Sequence, residues 1–286
     1  MMDWTDRHCR YFHRTLSKNT LLYTEMVTSP ALIKGNATHL LEFDKSEHPV
    51  ALQLGGSDPI ELAKAAVIGS KYGYDEINLN VGCPSDRVQS GTFGAVLMKT
   101  PEVVAKCCKE MIDAVDTEVT VKCRVGVDQQ NPDVTLPKFL EHISNAGVTR
   151  VIIHARKAIL SGLSPKQNRN VPPLNYGLVY KMKELFPDLH ISLNGGVQSI
   201  GEAKLHLENG IDGVMIGRAA YQKPGEVLID VDKYIFNEKN SELTEKDVVK
   251  QMIPYIENQY KDGSKVSNIT RHMLGLFSGK PGAKGW

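Results

Sequence analysis

Several familiar frameworks are missing from this chain. Its five cysteines are odd in number and contain no C-x-x-C pair, which argues against a disulfide scaffold and against a zinc site. No apolar run approaches the roughly 18 residues of a membrane span, and the N-terminus lacks the apolar core of a signal peptide. A reducing, cytoplasmic setting is therefore expected, with no metal and no membrane. Low-complexity segments are absent, and no repeat is visible beyond alternating strands and helices. Neither charge sign dominates: 34 basic and 33 acidic residues leave a net charge of +1, a total that can conceal local clusters. What is present, 41% hydrophobic and 23% charged residues in 286, suits one large domain with an appendage, or two ordinary domains.

Short apolar strands are predicted at 21–27, 50–55, 76–81, 119–125, 150–155, 190–193 and 213–216. Helical segments lie between them. Asp58-Pro59-Ile60-Glu61 reads as an N-cap, a first-turn proline and a capping-box glutamate. Thr100-Pro101-Glu102 and Ser199-Ile200-Gly201-Glu202 open two more, the latter ending at Asn209-Gly210. Strand–helix alternation implies a parallel sheet with right-handed crossovers. Seven such units in about 220 residues point to a (β/α)8 TIM barrel rather than an open sheet. Met1-Met2-Asp3-Trp4-Thr5-Asp6 reads as the loop after a first strand, so the barrel is expected to lack that strand here. The catalytic barrel is assigned to residues 1–235. A small all-helical domain is assigned to 236–286, with helices starting at Ser241–Lys246 and covering 269–277, and it is expected to be truncated too.

In a barrel the active site lies at the C-terminal mouth. Asn78-Leu79-Asn80-Val81-Gly82-Cys83-Pro84-Ser85 runs from a strand into a turn that carries a thiol between glycine and proline. Gly82 permits unusual dihedrals and Pro84 fixes its own, so Cys83 is read as a reagent rather than core filler. Cys107 and Cys108 lie on an apolar helical stripe, and Cys9 and Cys123 are assigned to packing. Gln53, Asn80, Lys122, His154, Asn194 and Arg218 all fall at strand ends. Lys122 and Arg124 share a strand face, with Lys122 inside the mouth and Cys123 among the helices. Gly195-Gly196 and Gly217-Arg218, in the last two loops, suit a phosphate group. Two basic stretches, 154–170 without any acid and 261–286, suggest a polyanion footprint or merely a solvated surface.

The segments Met1–Asp6, Ala51–Gly56, Leu79–Pro84, Val121–Gly126, Ile153–Lys157, Leu193–Gly196 and Met215–Arg218, in that order, resemble the tRNA-dihydrouridine synthases. Gly162–Arg169 and Arg271–Phe277 are similar to the subfamily that modifies nucleotides 20 and 20a of the D-loop. The resemblance implies an FMN barrel with a helical tRNA-binding domain, the FMN being reduced by NADPH. It implies that Met2, Gln53, Lys122, His154, Asn194, Gly195, Gly196, Gly217 and Arg218 hold FMN. It places Asn80 and Arg169 against tRNA, with Cys83 as the acid that protonates C5 of uridine after hydride addition at C6. A monomer is expected. Two rivals remain: an FMN enzyme that reduces or oxidises a free pyrimidine, which has no need of a basic helical tail, and a non-catalytic RNA-binding barrel, which would tolerate loss of Cys83.

Overall fold

The computed structural model describes residues 1–85, 88–89, 91–238 and 243–286. Seven strands form one parallel sheet in sequence order: β1 (Leu22–Thr28), β2 (Val50–Gly55), β3 (Glu76–Val81), β4 (Glu118–Arg124), β5 (Arg150–His154), β6 (His190–Asn194) and β7 (Gly213–Met215). Each pairs with the next, and β1 and β7 are the two edges. Helices alternate with the strands, and the curled sheet is that of a TIM barrel. Every strand end lies within one residue of its predicted place. The strands are legible because each is a short run of buried Val, Ile and Leu bounded by turn residues.

The outer helices are α1 (Arg7–Leu16), α2 (Ser29–Ile33), α3 (Pro59–Tyr72), α4 (Pro101–Ala114), α5 (Pro132–Asn145), α6 (Tyr176–Leu185) and α7 (Ile200–Glu208). The Asp58 side chain caps α3 by accepting from the Glu61 N–H, but Glu61 does not return the bond. It pairs with Lys34 at 2.6 Å instead, so the capping box is only half made. Ser199 caps α7, and Gly210 takes the left-handed conformation (φ 87°) just beyond it.

After β7 come α8 (Arg218–Gln222), α9 (Pro224–Leu228) and α10 (Val231–Tyr234), then α11 (Glu245–Lys261) and α12 (Val266–Thr270). The predicted start Ser241–Glu242 lies outside the described residues, and α11 is capped by Thr244, which accepts from the Asp247 N–H. The run 269–277 is not one helix. Only α12 forms, and turns follow it, with Gly275 against the Gln222 backbone, where a Cβ would meet the carbonyl oxygen at 2.2 Å.

Two apolar clusters organise these layers. The larger joins the strands to α3–α7, and the second joins Phe12 and Leu16 of α1 to Ala219, Leu228, Val248, Met252, Ile269 and Leu276. A polar pin reinforces the second. Asp6 caps α1 through the Cys9 N–H and holds both Arg271 (2.6 Å) and the buried His272 (3.0 Å). Burial alone would raise the Asp6 carboxyl, but its bonds from His272, Cys9 and Arg271 outweigh burial and hold it well below the usual carboxylate range. Asp6→Ala should therefore cost about 2 kcal/mol, one cap plus one stranded buried imidazole. Urea denaturation would measure it; a loss under about 0.5 kcal/mol would show the pin to be idle. No helix among the described residues is long and apolar enough to cross a membrane.

Candidate active site

Strand alternation turns one face of each strand into the barrel. On β2, β3 and β4 that face carries Gln53, then Glu76, Asn78 and Asn80, then Thr120, Lys122 and Arg124, and cross-strand register sets Gln53 beside Asn78 and Asn80 beside Lys122. These side chains form one directed chain of hydrogen bonds. The Gly82 and Cys83 N–H groups both donate to Asn80 Oδ1 at 3.0 Å. Asn80 Nδ2 donates to Gln53 Oε1 (2.8 Å), Gln53 Nε2 to Asn78 Oδ1 (2.9 Å), and Asn78 Nδ2 to Thr120 Oγ1 (2.7 Å). Thr120 in turn donates to Glu76 Oε1 (2.6 Å), which also accepts from Tyr23 (2.7 Å). Each amide has its orientation fixed by the one above it, so the ladder ties the barrel floor to the Cys83 turn. Asn78→Leu would strand a donor and an acceptor in the barrel. A cost of about 2–4 kcal/mol is expected by urea denaturation, against under 1 kcal/mol if the ladder carries no weight.

The Cys83 turn is stiff for a different reason from the one expected. Gly82 does not adopt a left-handed conformation, and a Cβ there would make only ordinary contacts at 3.4 Å. The constraint comes from hydrogen bonds to the backbone of residues 82–84. Besides Asn80, Arg124 Nε donates to the Gly82 carbonyl (3.1 Å), the Ala95 N–H to the Cys83 carbonyl (2.9 Å), and Gln89 Nε2 to the Pro84 carbonyl (2.9 Å). The glycine that the turn requires is Gly94 (φ 73°), where a Cβ would lie 2.7 Å from the Cys83 carbonyl oxygen.

Cys83 is half-buried, whereas Cys9, Cys107, Cys108 and Cys123 are buried. Burial pushes the Cys107 and Cys123 thiols up to about 12 and raises Cys9 and Cys108 as well, so none of these ionises at neutral pH. Ser85 Oγ lies 3.5 Å from Cys83 Sγ, within hydrogen-bond reach for sulfur. Lys122, Arg124 and Arg169 are all electrostatically coupled to the thiol. Protein surrounds Lys122 even though its side chain keeps a water-accessible opening. Desolvation, followed by Arg124, lowers its ammonium to about 8.

Farther round the mouth, Arg124, His154 and Asn194 sit side by side in register. His154 is 9% exposed, and its Nδ1 is buried with no partner among the described residues. Burial first, then Arg124, Lys122, Arg156 and Arg218, hold its imidazole well below the ordinary histidine range, so the ring is neutral. Asn194 Nδ2 donates to the Met215 carbonyl at 2.7 Å. Gly195 and Gly196 both have positive φ (111° and 82°), and a Cβ on Gly196 would lie 2.6 Å from Tyr176 Oη. Larger residues are excluded there by conformation and by space. Gly217 precedes α8, and Arg218 donates to Asn170 Oδ1 (2.8 Å) and the Arg169 carbonyl (3.3 Å).

Most of the residues expected at the mouth thus come together on adjoining strand ends, but two stand apart. Met2 is 58% exposed, and it is the Met1 side chain that approaches Gly217. Arg169 is exposed on the 156–172 loop. The tail is less basic in effect than in composition, because Arg271 pairs with Asp6 and Lys280 with Glu245. Lys261 and Lys265 remain exposed. Sequence reasoning missed Asn78, Gln89 and Glu25, whose Oε1 is buried without a partner. For Asn78 the signal was available, since it shares the inward face with Asn80.

The family model for dihydrouridine synthase (Dus) matches residues 1–286. A tRNA-dihydrouridine(20/20a) synthase of Escherichia coli (strain K12) is 56% identical over 287 residues, covering all of this chain and 82% of the relative. Another from E. coli O6:H1 is also 56% identical, with 86% of the relative covered, and one from Vibrio cholerae is 54% identical, with 87% covered. With the family model and these relatives both spanning the whole chain, this chain belongs to the dihydrouridine synthase family.

Proposed function

We propose that this protein reduces the C5=C6 bond of uridine in the tRNA D-loop, at position 20 or 20a, with FMN as cofactor and NADPH as reductant. The observation that carries the reading is a single half-buried thiol, Cys83, held by its own backbone at the mouth of the barrel beside Lys122.

The residues present fit a flavin mononucleotide. His154 Nδ1 is a buried polar atom without a partner among the described residues, and Lys122 is a cation whose charged neighbour is another cation, Arg124. Gly195 and Gly196, both at positive φ, form a glycine turn of the kind whose backbone N–H groups can cradle a phosphate. Gln53, Lys122, His154 and Asn194 would face the ring and ribityl portions, and Gly195, Gly196, Gly217 and Arg218 the phosphate. Arg218 would have to share its guanidinium with Asn170. Met2 belongs to this set only by family likeness. When bound and reduced by NADPH, the flavin supplies hydride equivalents to C6 of the base.

The remaining chemistry belongs to the chain's own residues. Reduction at C6 leaves negative charge on the uracil C4 oxygen and C5, and C5 needs a proton. Cys83 Sγ–H donates it, acting as a positioned general acid. The thiolate left behind is stabilised by Ser85 Oγ–H and by the positive field of Lys122 and Arg124. Asn80 keeps its Oδ1 on the Cys83 N–H, leaving the second hydrogen of its amide for the base.

The uridine must be drawn out of the folded D-loop into the mouth, at a cost of a few kcal/mol. Arg169 and Lys166 on the 156–172 loop, with Lys261 at the end of α11 and Lys265 beyond it, are exposed cations that offset this through phosphate contacts. Residues 236–286 would form the helical tRNA-binding part.

The test is position-resolved mapping of dihydrouridine on unmodified tRNA incubated with flavin-loaded protein and NADPH. New product at 20 or 20a supports the reading. Reduction of free pyrimidines with none in tRNA would overturn it in favour of a small-molecule enzyme.

A further inference from the structure

Two side chains beside the thiol have a bonding pattern that the proposed chemistry does not use. Arg124 is 5% exposed, and its Nε donates to the Gly82 carbonyl while its Nη1 donates to the Asn168 carbonyl at 3.1 Å and the Lys157 carbonyl at 3.4 Å. Gln89 Nε2 donates to the Pro84 carbonyl at 2.9 Å and to the Leu160 carbonyl at 2.8 Å. Each side chain therefore divides its donors between the same two segments. One end is a carbonyl next to Cys83, at residue 82 or 84, and the other lies in the 156–172 loop. The loop is itself rigid around Asn168, which is fully buried. Asn168 Nδ2 donates to the Ile159, Leu163 and Ser164 carbonyls, and its Oδ1 accepts from the Ile159 N–H at 2.7 Å. Arg169, the next residue, is exposed.

We propose that Arg124 and Gln89 are positioning residues that strap the Cys83 turn to the 156–172 loop, so that the placement of the thiol depends on the loop that carries Arg169. This rests on the reading of Cys83 as proton donor and extends it: contact of a large polyanionic substrate with the loop is transmitted to the reactive sulfur. The physical basis is carbonyl satisfaction. Removing either strap leaves an acceptor unpaired on both segments at once, and each segment loses one of the bonds that hold it. A purely local role for Gln89 would affect the Cys83 turn, six residues away in sequence, and leave the loop untouched. Lysine cannot replace Arg124, because one ammonium at the end of a flexible stem does not reproduce a fork aimed at two carbonyls.

The test reads both ends of the strap in one variant. Alkylation of Cys83 by iodoacetamide, followed by peptide mass spectrometry, is site-specific because the other four cysteines are buried. Trypsin cleavage after the exposed Lys166 and Arg169 reports on the loop. Both are measured on the native protein well below its thermal midpoint. In Gln89→Leu, both rates are expected to rise by about fivefold, the factor equivalent to one net hydrogen bond, and Arg124→Met should raise both further. Should Arg124→Met fail to fold, Gln89→Leu decides alone. A rise in one rate only, or in neither, overturns the strap. Neither readout needs turnover, so absence of dihydrouridine would refute the proposed activity and leave this coupling standing.

Discussion

Replacing Cys83 with alanine is expected to slow dihydrouridine formation by about 10²–10⁴-fold, the usual worth of a positioned general acid, while NADPH consumption by the flavin-loaded protein stays within about twofold. The asymmetry follows from where the thiol lies. Cys83 is held on the β3 loop by Asn80, Gly94 and Ala95, and it supplies neither charge nor packing to the barrel core. Loss of Sγ removes the proton for C5 but none of the groups assigned to the flavin. Serine at this position should recover only part of the rate, since a hydroxyl holds its proton more tightly than a thiol. The two half-reactions can be followed separately by stopped-flow absorbance of the flavin, first with NADPH alone and then with tRNA. Equal loss in both would mean that Cys83 is a structural or cofactor-binding residue, and the acid would have to be sought elsewhere in the mouth.

The sequence made the barrel legible and left much of the mouth's wiring unread, for a physical reason. A strand such as Val119–Cys123 announces itself through β-branched residues, and alternation then sends Lys122 inward and Cys123 outward; Cys123 is indeed fully buried. The helix α1 announces nothing comparable. It buries His8, Arg10, His13 and Arg14 beside Cys9 and Phe12, and those polar groups are tolerable only because of distant partners. Arg10 meets Glu47 at 2.6 Å, and Arg14 donates to the carbonyls of Ser17, Thr20, Glu47 and Pro49. The same limit explains Glu61, whose partner proved to be Lys34 rather than its own cap. It also explains Arg124 and Gln89, which bond to carbonyls that every residue possesses. Composition shows where apolar groups go, whereas a backbone acceptor is invisible until the chain has folded. The basic tail fails for a related reason: Asp6 and Glu245 neutralise two of its cations from elsewhere in sequence.

The second large effect concerns Lys122 and pH. With its ammonium lowered from the ordinary 10.5 to about 8 by desolvation and by Arg124, this lysine begins to lose its charge just above neutral pH in the empty mouth. Between about pH 8 and 10.5 the unfolded chain binds more protons than the folded one, so this group makes the unliganded protein more stable as pH rises through that window. A ligand bringing negative charge beside Lys122 has the opposite preference: it favours the ammonium and draws a proton in as it binds. FMN affinity should accordingly be flat near pH 7 and fall by up to about tenfold per pH unit above 8, the limit for uptake of one proton. Lys122→Met should bind FMN far more weakly near neutral pH and lose the slope together with the affinity, which separates a charge contact from simple packing. Titration of flavin fluorescence across this range checks both. An unchanged slope in Lys122→Met would assign the proton to another group at the mouth. His154 is a poor candidate for it, since burial and four surrounding cations already keep its imidazole neutral throughout the window. Lys122 would then be left as packing, and the negative charge arising during reduction would fall to Arg124 and the Ser85 hydroxyl to stabilise.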